Sequence, residues 1–272
     1  MFLADYHIHS SASIDAVDSM TDMARAAAAR GIESLCFTDH VDLEDDPTGI
    51  YNPDYWSRWP EVLRQYDEAR RALPQADIRL GMELGAAHHV QEEAAKCAAH
   101  GELDFIIGSI HNLRNTKDFY FLEYTSREQC LALARKYMAE HIELARADYF
   151  DVVAHVGYTR RYMFKAGFDL RVDTELFGDE LREVFKILIE RGRGIEVNCS
   201  DFRRPGIAGP VPSLDVLRLY REMGGEIITT GSDAHRVEDA GGNIADGVEA
   251  LLAAGFKYIT LFEKRKPVFR RL

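Results

Sequence analysis

Histidines and carboxylates recur at the ends of short apolar segments along this sequence, and both groups are common metal ligands. The first of these segments runs into His7 and His9, and a later one runs into Asp233 and His235. In an extended strand, residues i and i+2 point to the same side, so each pair can present two ligands to one centre. Imidazole nitrogens and carboxylate oxygens bind zinc at about 2.0–2.2 Å. The spacing therefore indicates a metal-binding role.

Further candidate ligands end the intervening apolar segments, namely His40, Glu83, His111 and His155. Glu83 has two carboxylate oxygens and could bridge two ions. Bridged ions roughly 3.5–4 Å apart activate water and clamp the phosphoryl group in many phosphatases. A single histidine is more often a hydrogen-bonded core or surface residue. However, six of the ten histidines end predicted strands, and this concentration favours a metal centre.

The remaining four histidines do not follow this pattern. His88 and His89 open a predicted helix, His100 lies near its end, and His141 lies in the middle of another helix. We therefore expect solvated or structural roles for all four. Judged by its position alone, Asp15 is an ordinary acidic residue in a loop.

The elements that must position these residues alternate regularly between strand and helix. Predicted strands cover residues 2–6, 33–38, 78–83, 104–109, 150–155, 194–199 and 226–231, with a weaker eighth at 258–262. Helical patterns fill the intervals between most of them. Such alternation is typical of a parallel sheet covered by helices, and seven or eight units suit a closed barrel. We expect one α/β domain over residues 1–272, with an open doubly wound sheet as the alternative.

Composition and charge restrict the function further. The net charge of −12, from 33 basic and 45 acidic residues, argues against nucleic acid or an anionic membrane as a partner. No stretch approaches the ~20 apolar residues that span a bilayer. The N-terminus lacks the basic and apolar regions of a secretory signal, so we expect a cytoplasmic protein. Four widely spaced cysteines fit free thiols, and the oligomeric state is left open.

The ligand motifs, taken together, resemble those of the PHP (polymerase and histidinol phosphatase) superfamily. These motifs are HIH at 7–9, TDH at 38–40, Glu83, His111, His155 and GSDAH at 231–235. Within the superfamily the chain is most similar to histidinol-phosphatases, through residues 7–16, 37–42, 104–111 and 195–200. The resemblance implies a distorted (β/α)7 barrel, which is a TIM-like fold, with a trinuclear metal site.

The resemblance also implies how three divalent ions would share the ligands. The first ion would take His7, His9, Glu83 and Asp233, the second Glu83, His111 and His155, and the third Asp15, His40 and His235. Asp15 thus joins the predicted ligands on the resemblance. Zinc, iron and manganese all suit a mixture of nitrogen and oxygen ligands.

The activity that this implies is hydrolysis of a small phosphate monoester, with L-histidinol phosphate from histidine biosynthesis as the leading substrate. A metal-bridging hydroxide would attack phosphorus. Because guanidinium forks suit phosphate, Arg160 and Arg203 are the predicted catalytic and phosphate-binding residues. Arg204 is a further phosphate-binding candidate, and Arg161 is a fallback. Any of these arginines could instead form a surface ion pair.

Two acidic features have predicted roles as well. Asp39 could orient a metal-bound imidazole as part of the catalytic site, or it could cap the end of a strand. The acidic segment 42–46 could receive the amine and imidazole of the substrate, although charged segments are usually solvated.

Three other functions remain open at this stage. A PHP-type phosphatase could act on phosphotyrosine, sugar phosphates or nucleotides. Metal-dependent amidohydrolases also begin with HxH, but they usually have a bridging lysine-type ligand, and Glu83 with Asp233 and His235 favours a phosphoesterase. A non-catalytic metal-binding module would be expected to lack one or more ligands, whereas all of them are present.

Overall fold

A computed structural model of the chain describes residues 1–43 and 55–272. Its strands are β1 (Ala4–Ile8), β2 (Ser34–Phe37), β3 (His40–Asp42), β4 (Asp77–Gly85), β5 (Phe105–Ser109), β6 (Val152–Val153), β7 (Gly194–Asn198), β8 (Ile228–Gly231), β9 (Tyr258–Glu263) and β10 (Lys266–Arg271). Its α-helices are α1 (Met20–Ala29), α2 (Tyr55–Ala72), α3 (Gln91–Ala98), α4 (Arg127–Arg146), α5 (Arg160–Lys165), α6 (Thr174–Glu190), α7 (Leu214–Glu222) and α8 (Ile244–Ala253).

The strands form a nearly closed parallel barrel of seven strands, which confirms the predicted fold class. Their order is β1-β2-β4-β5-β6-β7-β8, and the short β3 pairs with β4 beyond the end of β2. The strand segments are almost entirely buried, because one face meets the barrel interior and the other meets the helices. Serine side chains cap two of the helices: Ser19 accepts a hydrogen bond at α1, and Ser126 accepts one at α4.

The predicted eighth strand exists but is not part of the barrel. It is β9, and it pairs antiparallel with β10. Its side chains Ile259, Leu261 and Phe262 pack in one buried cluster with barrel residues such as Tyr6 and Phe105. The hairpin therefore fills the barrel interior at the end away from the predicted ligands. Among the described residues, no helix has both the length and the apolar character needed to cross a membrane.

The barrel closes where β1 meets β8. The His9 backbone N–H donates to the Ala234 carbonyl at 2.9 Å, and the Asp233 N–H donates to the His7 carbonyl at 2.7 Å. Below these bonds, the buried Asp5 carboxylate accepts hydrogen bonds from the Ser232 N–H at 2.8 Å and the Ser232 hydroxyl at 2.6 Å. Burial raises the pKa of Asp5 to about 6. Asp5 therefore links the two strands that carry paired ligands.

Substitution of Asp5 by alanine should lower the free energy of unfolding by about 2–4 kcal/mol, because buried donors of Ser232 would lose their acceptor. The measurement is chemical denaturation of metal-free protein, so that ligand binding does not contribute. Asp67→Ala on α2, at a side chain that is 61% exposed, is the control and should shift stability by no more than ~0.5 kcal/mol. Equal unfolding midpoints for the two variants would contradict this role of Asp5.

Candidate metal centre

The strand ends bring the predicted ligands together around Glu83, which is fully buried on β4. Its Oε1 lies 3.1 Å from His111 Nε2 and 3.0 Å from His155 Nε2. Its Oε2 lies 3.1 Å from His7 Nε2 and 3.0 Å from His40 Nδ1. Each carboxylate oxygen therefore faces two imidazoles, as a bridging ligand would.

Asp233 completes the first predicted group of ligands. Its Oδ1 lies 3.8 Å from His7 Nε2 and 3.7 Å from His9 Nε2, while His9 Nε2 is 3.5 Å from Glu83 Oε2. Asp233 has a φ of +53°, a conformation that is uncommon for a residue with a side chain. The hydrogen bond from the Asp233 N–H to the His7 carbonyl stabilises this positive-φ conformation.

Asp15, His40 and His235 form a third group on the side nearest solvent. Asp15 Oδ2 lies 3.2 Å from His235 Nε2 and 3.6 Å from His40 Nε2. The two imidazole Nε2 atoms are 3.4 Å apart. The Asp15 side chain is 44% exposed and that of His235 is 26% exposed. This group therefore lies at the mouth of the centre.

Several buried polar atoms in the centre have no hydrogen-bond partner among the described residues. They are His7 Nε2, His9 Nε2, Glu83 Oε2 and His155 Nδ1. A buried polar atom left unsatisfied costs about 1–3 kcal/mol. All but the last lie within 4 Å of another predicted ligand. The ligand atoms also form four overlapping groups of three, each within 4.8 Å, that could hold ions. Bound cations would account for all of these unpaired atoms except His155 Nδ1, so the residues fit metal ions.

The electrostatics of the centre connect metal binding to pH. Burial opposes charging of His111, but Glu83 and Asp42 raise its pKa to about 10. Burial would likewise raise the pKa of Glu83, yet the surrounding imidazoles hold it well below its usual range. Protons and cations therefore compete for the same nitrogen lone pairs, so metal affinity should fall with falling pH.

Two carboxylates, one fully buried and one partly buried, orient imidazoles of the predicted ligands, and neither was assigned this role from the sequence. Glu196 Oε1 lies 2.7 Å from His7 Nδ1, and its Oε2 accepts the His155 backbone N–H at 2.8 Å. Asp42 Oδ1 lies 2.9 Å from His111 Nδ1. Such contacts fix the tautomer and ring orientation of a metal ligand. The available sequence signal was a glutamate in the middle of the apolar segment GIEVN.

Glycine is required at position 231, at the end of β8. A Cβ there would collide with the Glu196 carboxylate and with the Cβ of His7. The absence of a side chain thus lets the Glu196–His7 pair pack against β8.

Asp39 orients a ligand indirectly. Its carboxylate accepts hydrogen bonds from the Ser10 N–H at 2.6 Å and the Ser13 hydroxyl at 2.8 Å. Ser13 Oγ lies 3.2 Å from His9 Nδ1 and accepts the His40 N–H at 3.0 Å. Asp39 therefore acts through Ser13.

Asp42 of the acidic segment faces His111, while residues 44–46 lie outside the described residues.

A cavity of about 520 Å³ opens beside Asp233, His235 and Asp15. Arg161, Arg203 and Arg204 line it. Arg161 is buried, donates to Ser200 Oγ at 2.8 Å and places Nη1 3.7 Å from Asp233 Oδ2. Arg203 Nη2 donates to the Ser232 carbonyl at 2.8 Å, and Arg204 Nε lies 3.1 Å from Asp201 Oδ1.

The structure does not bring Arg160 to this cavity. Its guanidinium contacts both carboxylate oxygens of Asp169, at 2.7 and 3.1 Å, and it lines a separate cavity with Arg171. The segment is helix α5 and not the predicted loop, so consecutive side chains point about 100° apart. The arginine beside the metal centre is therefore Arg161, the fallback residue of the sequence analysis.

Comparison with known proteins places this geometry in context. Residues 5–200 match the PHP domain. The probable histidinol-phosphatase of Deinococcus radiodurans is 27% identical over 274 residues, covering 97% of this chain and 98% of the relative. That of Clostridium acetobutylicum is 24% identical over 262 residues, covering 96% and 97%. The crystal structure of histidinol phosphate phosphatase from Lactococcus lactis, complexed with Zn, L-histidinol and phosphate, has a TM-score of 0.81 at 22% identity and 98% coverage of both chains. That likeness shows a shared fold.

Replacement of Glu196 by glutamine should weaken metal binding by about 10- to 100-fold, because His7 would lose its orienting carboxylate. The measurement is titration of metal-free protein with zinc, with circular dichroism to check folding. Glu190→Gln, at an exposed position on the preceding helix α6, is the matched control and should leave the affinity unchanged. Equal affinities in the two variants would show that Glu196 does not support the ligand.

Proposed function

The chain belongs to the PHP domain family, and we propose that it is a metal-dependent phosphomonoesterase that hydrolyses L-histidinol phosphate to L-histidinol and phosphate. The observation that carries the proposal is the cluster around Glu83, which adjoins a cavity whose lining includes three of the arginines described above. The substrate is supported by relatives named histidinol-phosphatase that match this chain over nearly their whole length. The Lactococcus lactis structure, with histidinol and phosphate bound, further supports it.

We infer that the nine predicted ligands hold three divalent ions in the three groups described above. When bound, such ions lower the pKa of water and stabilise the charge of a transferring phosphoryl group. Zinc is supported by the Lactococcus lactis complex, and the ligand types would also suit iron or manganese. The orienting contacts of Glu196 and Asp42 keep the imidazole lone pairs directed at the ions.

Arg161 is the residue that we assign to the phosphoryl oxygens. Its guanidinium is buried beside Asp233 and stacks over the Tyr158 ring with its Cζ 4.7 Å from the centroid. A guanidinium fixed in this way can donate two parallel hydrogen bonds to phosphate without further ordering. Ser200, already in contact with Arg161, lies at the same cavity wall. Arg203 and Arg204 add positive charge farther along the wall.

The rest of the cavity suits the alcohol portion of the substrate. Asp239 lines it, and its side chain is 43% exposed. Its carboxylate can receive a cationic amine. The Tyr162 ring lines the same cavity and offers a face for an imidazole.

For purified protein, kcat/KM with L-histidinol phosphate should be at least about tenfold higher than with phosphotyrosine, a sugar phosphate or a nucleotide. Complete chelation should abolish the release, and added zinc, manganese or iron should restore it. Comparable rates on all substrates would identify a general PHP phosphatase instead. Metal binding without turnover on this panel would identify a non-catalytic module, and release that survives metal removal would refute the proposed chemistry.

Arg161→Lys should lower kcat/KM for L-histidinol phosphate about tenfold or more, because lysine keeps the charge but loses the two-pronged contact. The matched control is Arg160→Lys, the same substitution at the neighbouring residue, where Asp169 occupies the guanidinium. Its effect should be no more than about threefold. Steady-state kinetics on both variants test the assignment, and a larger loss at Arg160 than at Arg161 would reverse it.

A further inference from the structure

Outside the metal centre, His88, His89 and Glu140 form a second compact group of possible ligands, here called the lateral cluster. Glu140 Oε2 lies 3.1 Å from His88 Nε2 and 2.8 Å from His89 Nε2. One ligand atom from each residue lies within 4.8 Å of the others. Both imidazole side chains are only 1% exposed, and the Glu140 side chain is 15% exposed. The sequence analysis expected solvated or structural roles for these histidines.

The lateral cluster joins three parts of the chain. His88 and His89 follow β4, and Glu140 lies on α4. Arg114, after β5, donates its backbone N–H to Glu140 Oε1 at 2.9 Å, so the second carboxylate oxygen is fixed as well. Its guanidinium donates to the carbonyls of both histidines at 3.4 and 3.5 Å. Carboxylates that bind metal ions are commonly held in this way, by a hydrogen bond to the oxygen that does not face the ion.

His88 lies in the same kind of environment as a predicted ligand of the metal centre. One ring nitrogen faces a carboxylate, while Nδ1 is buried and has no hydrogen-bond partner among the described residues. The same combination occurs in the metal centre, where His155 Nε2 lies 3.0 Å from Glu83 and its Nδ1 has no partner. Burial lowers the pKa of His88, which favours the neutral imidazole that a metal requires.

The spacing of the lateral cluster is close to that of metal ligands. Two ligand atoms bound to zinc at about 2.1 Å in a tetrahedral arrangement lie roughly 3.4 Å apart. The separations of 2.8 and 3.1 Å are slightly shorter, so small side-chain shifts would admit an ion. The contacts of Glu83 with four imidazoles, 3.0–3.1 Å, are of the same length.

We propose that the lateral cluster binds one divalent transition-metal ion through His88, His89 and Glu140. Two imidazoles and one carboxylate are a ligand set of zinc, and three protein ligands leave a position for water. The site would hold the segment that follows β4, the strand that carries Glu83, against helix α4. It does not depend on the reaction that the chain catalyses.

The direct test is anomalous diffraction at the zinc edge, on crystals of the unsubstituted protein grown with zinc. We expect a peak within bonding distance of both imidazoles and the Glu140 carboxylate, in addition to peaks at the metal centre. Peaks at the metal centre with none at the lateral cluster would overturn the proposal. This experiment needs no variant and no assay of activity.

A second test compares metal content. After loading with zinc and removal of free metal, Glu140→Gln should contain one equivalent per chain less than the unsubstituted protein. Glu143→Gln is the matched control, since Glu143 lies on the same helix with its side chain 56% exposed. It should retain the full content. Equal zinc content in the two variants would contradict the proposed site, whatever their phosphatase activities.

Discussion

A fully buried carboxylate surrounded by imidazoles is the constraint on which the rest of this structure depends. Burying an unpaired charge costs several kcal/mol, so Glu83 is stable in the barrel only if positive charge or strong donors surround it. His7, His40, His111 and His155 provide these contacts. Each belongs to a different strand or strand end. The position of the carboxylate therefore requires the barrel strands to end at the same level.

The same backbone contacts close the barrel and place the ligands. The backbone hydrogen bonds between His7 and Asp233 and between His9 and Ala234 join the first and last barrel strands at the level where their side chains enter the metal centre. Asp5 adds the side-chain link below them. Stability and ligand geometry are consequently coupled at this junction, and a change that opens the barrel there also separates ligands of the first group.

The sequence predicted that the candidate ligands would lie close together, because they follow a rule of backbone geometry. Parallel strands place their carboxyl ends at one edge, so residues such as His111 and Asp233, far apart in sequence, had to be neighbours. The same rule could not decide whether Arg160 or Arg161 reaches the cavity beside the metal centre. Their directions depend on whether the segment is a loop or the helix α5, and no periodic pattern in so short a segment decides that. β9 was found, but its antiparallel partner was not, because pairing direction depends on tertiary contacts.

The orienting residues escaped prediction for a different reason. Glu196 and Asp42 have their effect through a contact with one ring nitrogen, and such a contact depends on side-chain packing across strands. His88 and His89 were predicted to open a helix, whereas their side chains are buried in the turn that precedes α3.

Charge balance connects the proposed ions with the proposed substrate. Five carboxylates belong to the metal centre, those of Asp15, Asp42, Glu83, Glu196 and Asp233. Without cations, this density of negative charge would repel a phosphate dianion. Three divalent ions would more than offset it, and Arg161 adds a further positive charge at the cavity wall. The resulting excess of positive charge would suit a phosphate monoester, while Asp239 in the outer cavity would attract a cationic alcohol portion. The overall negative charge of the chain is thus compatible with an anionic substrate, because bound ions would reverse the sign of the field locally.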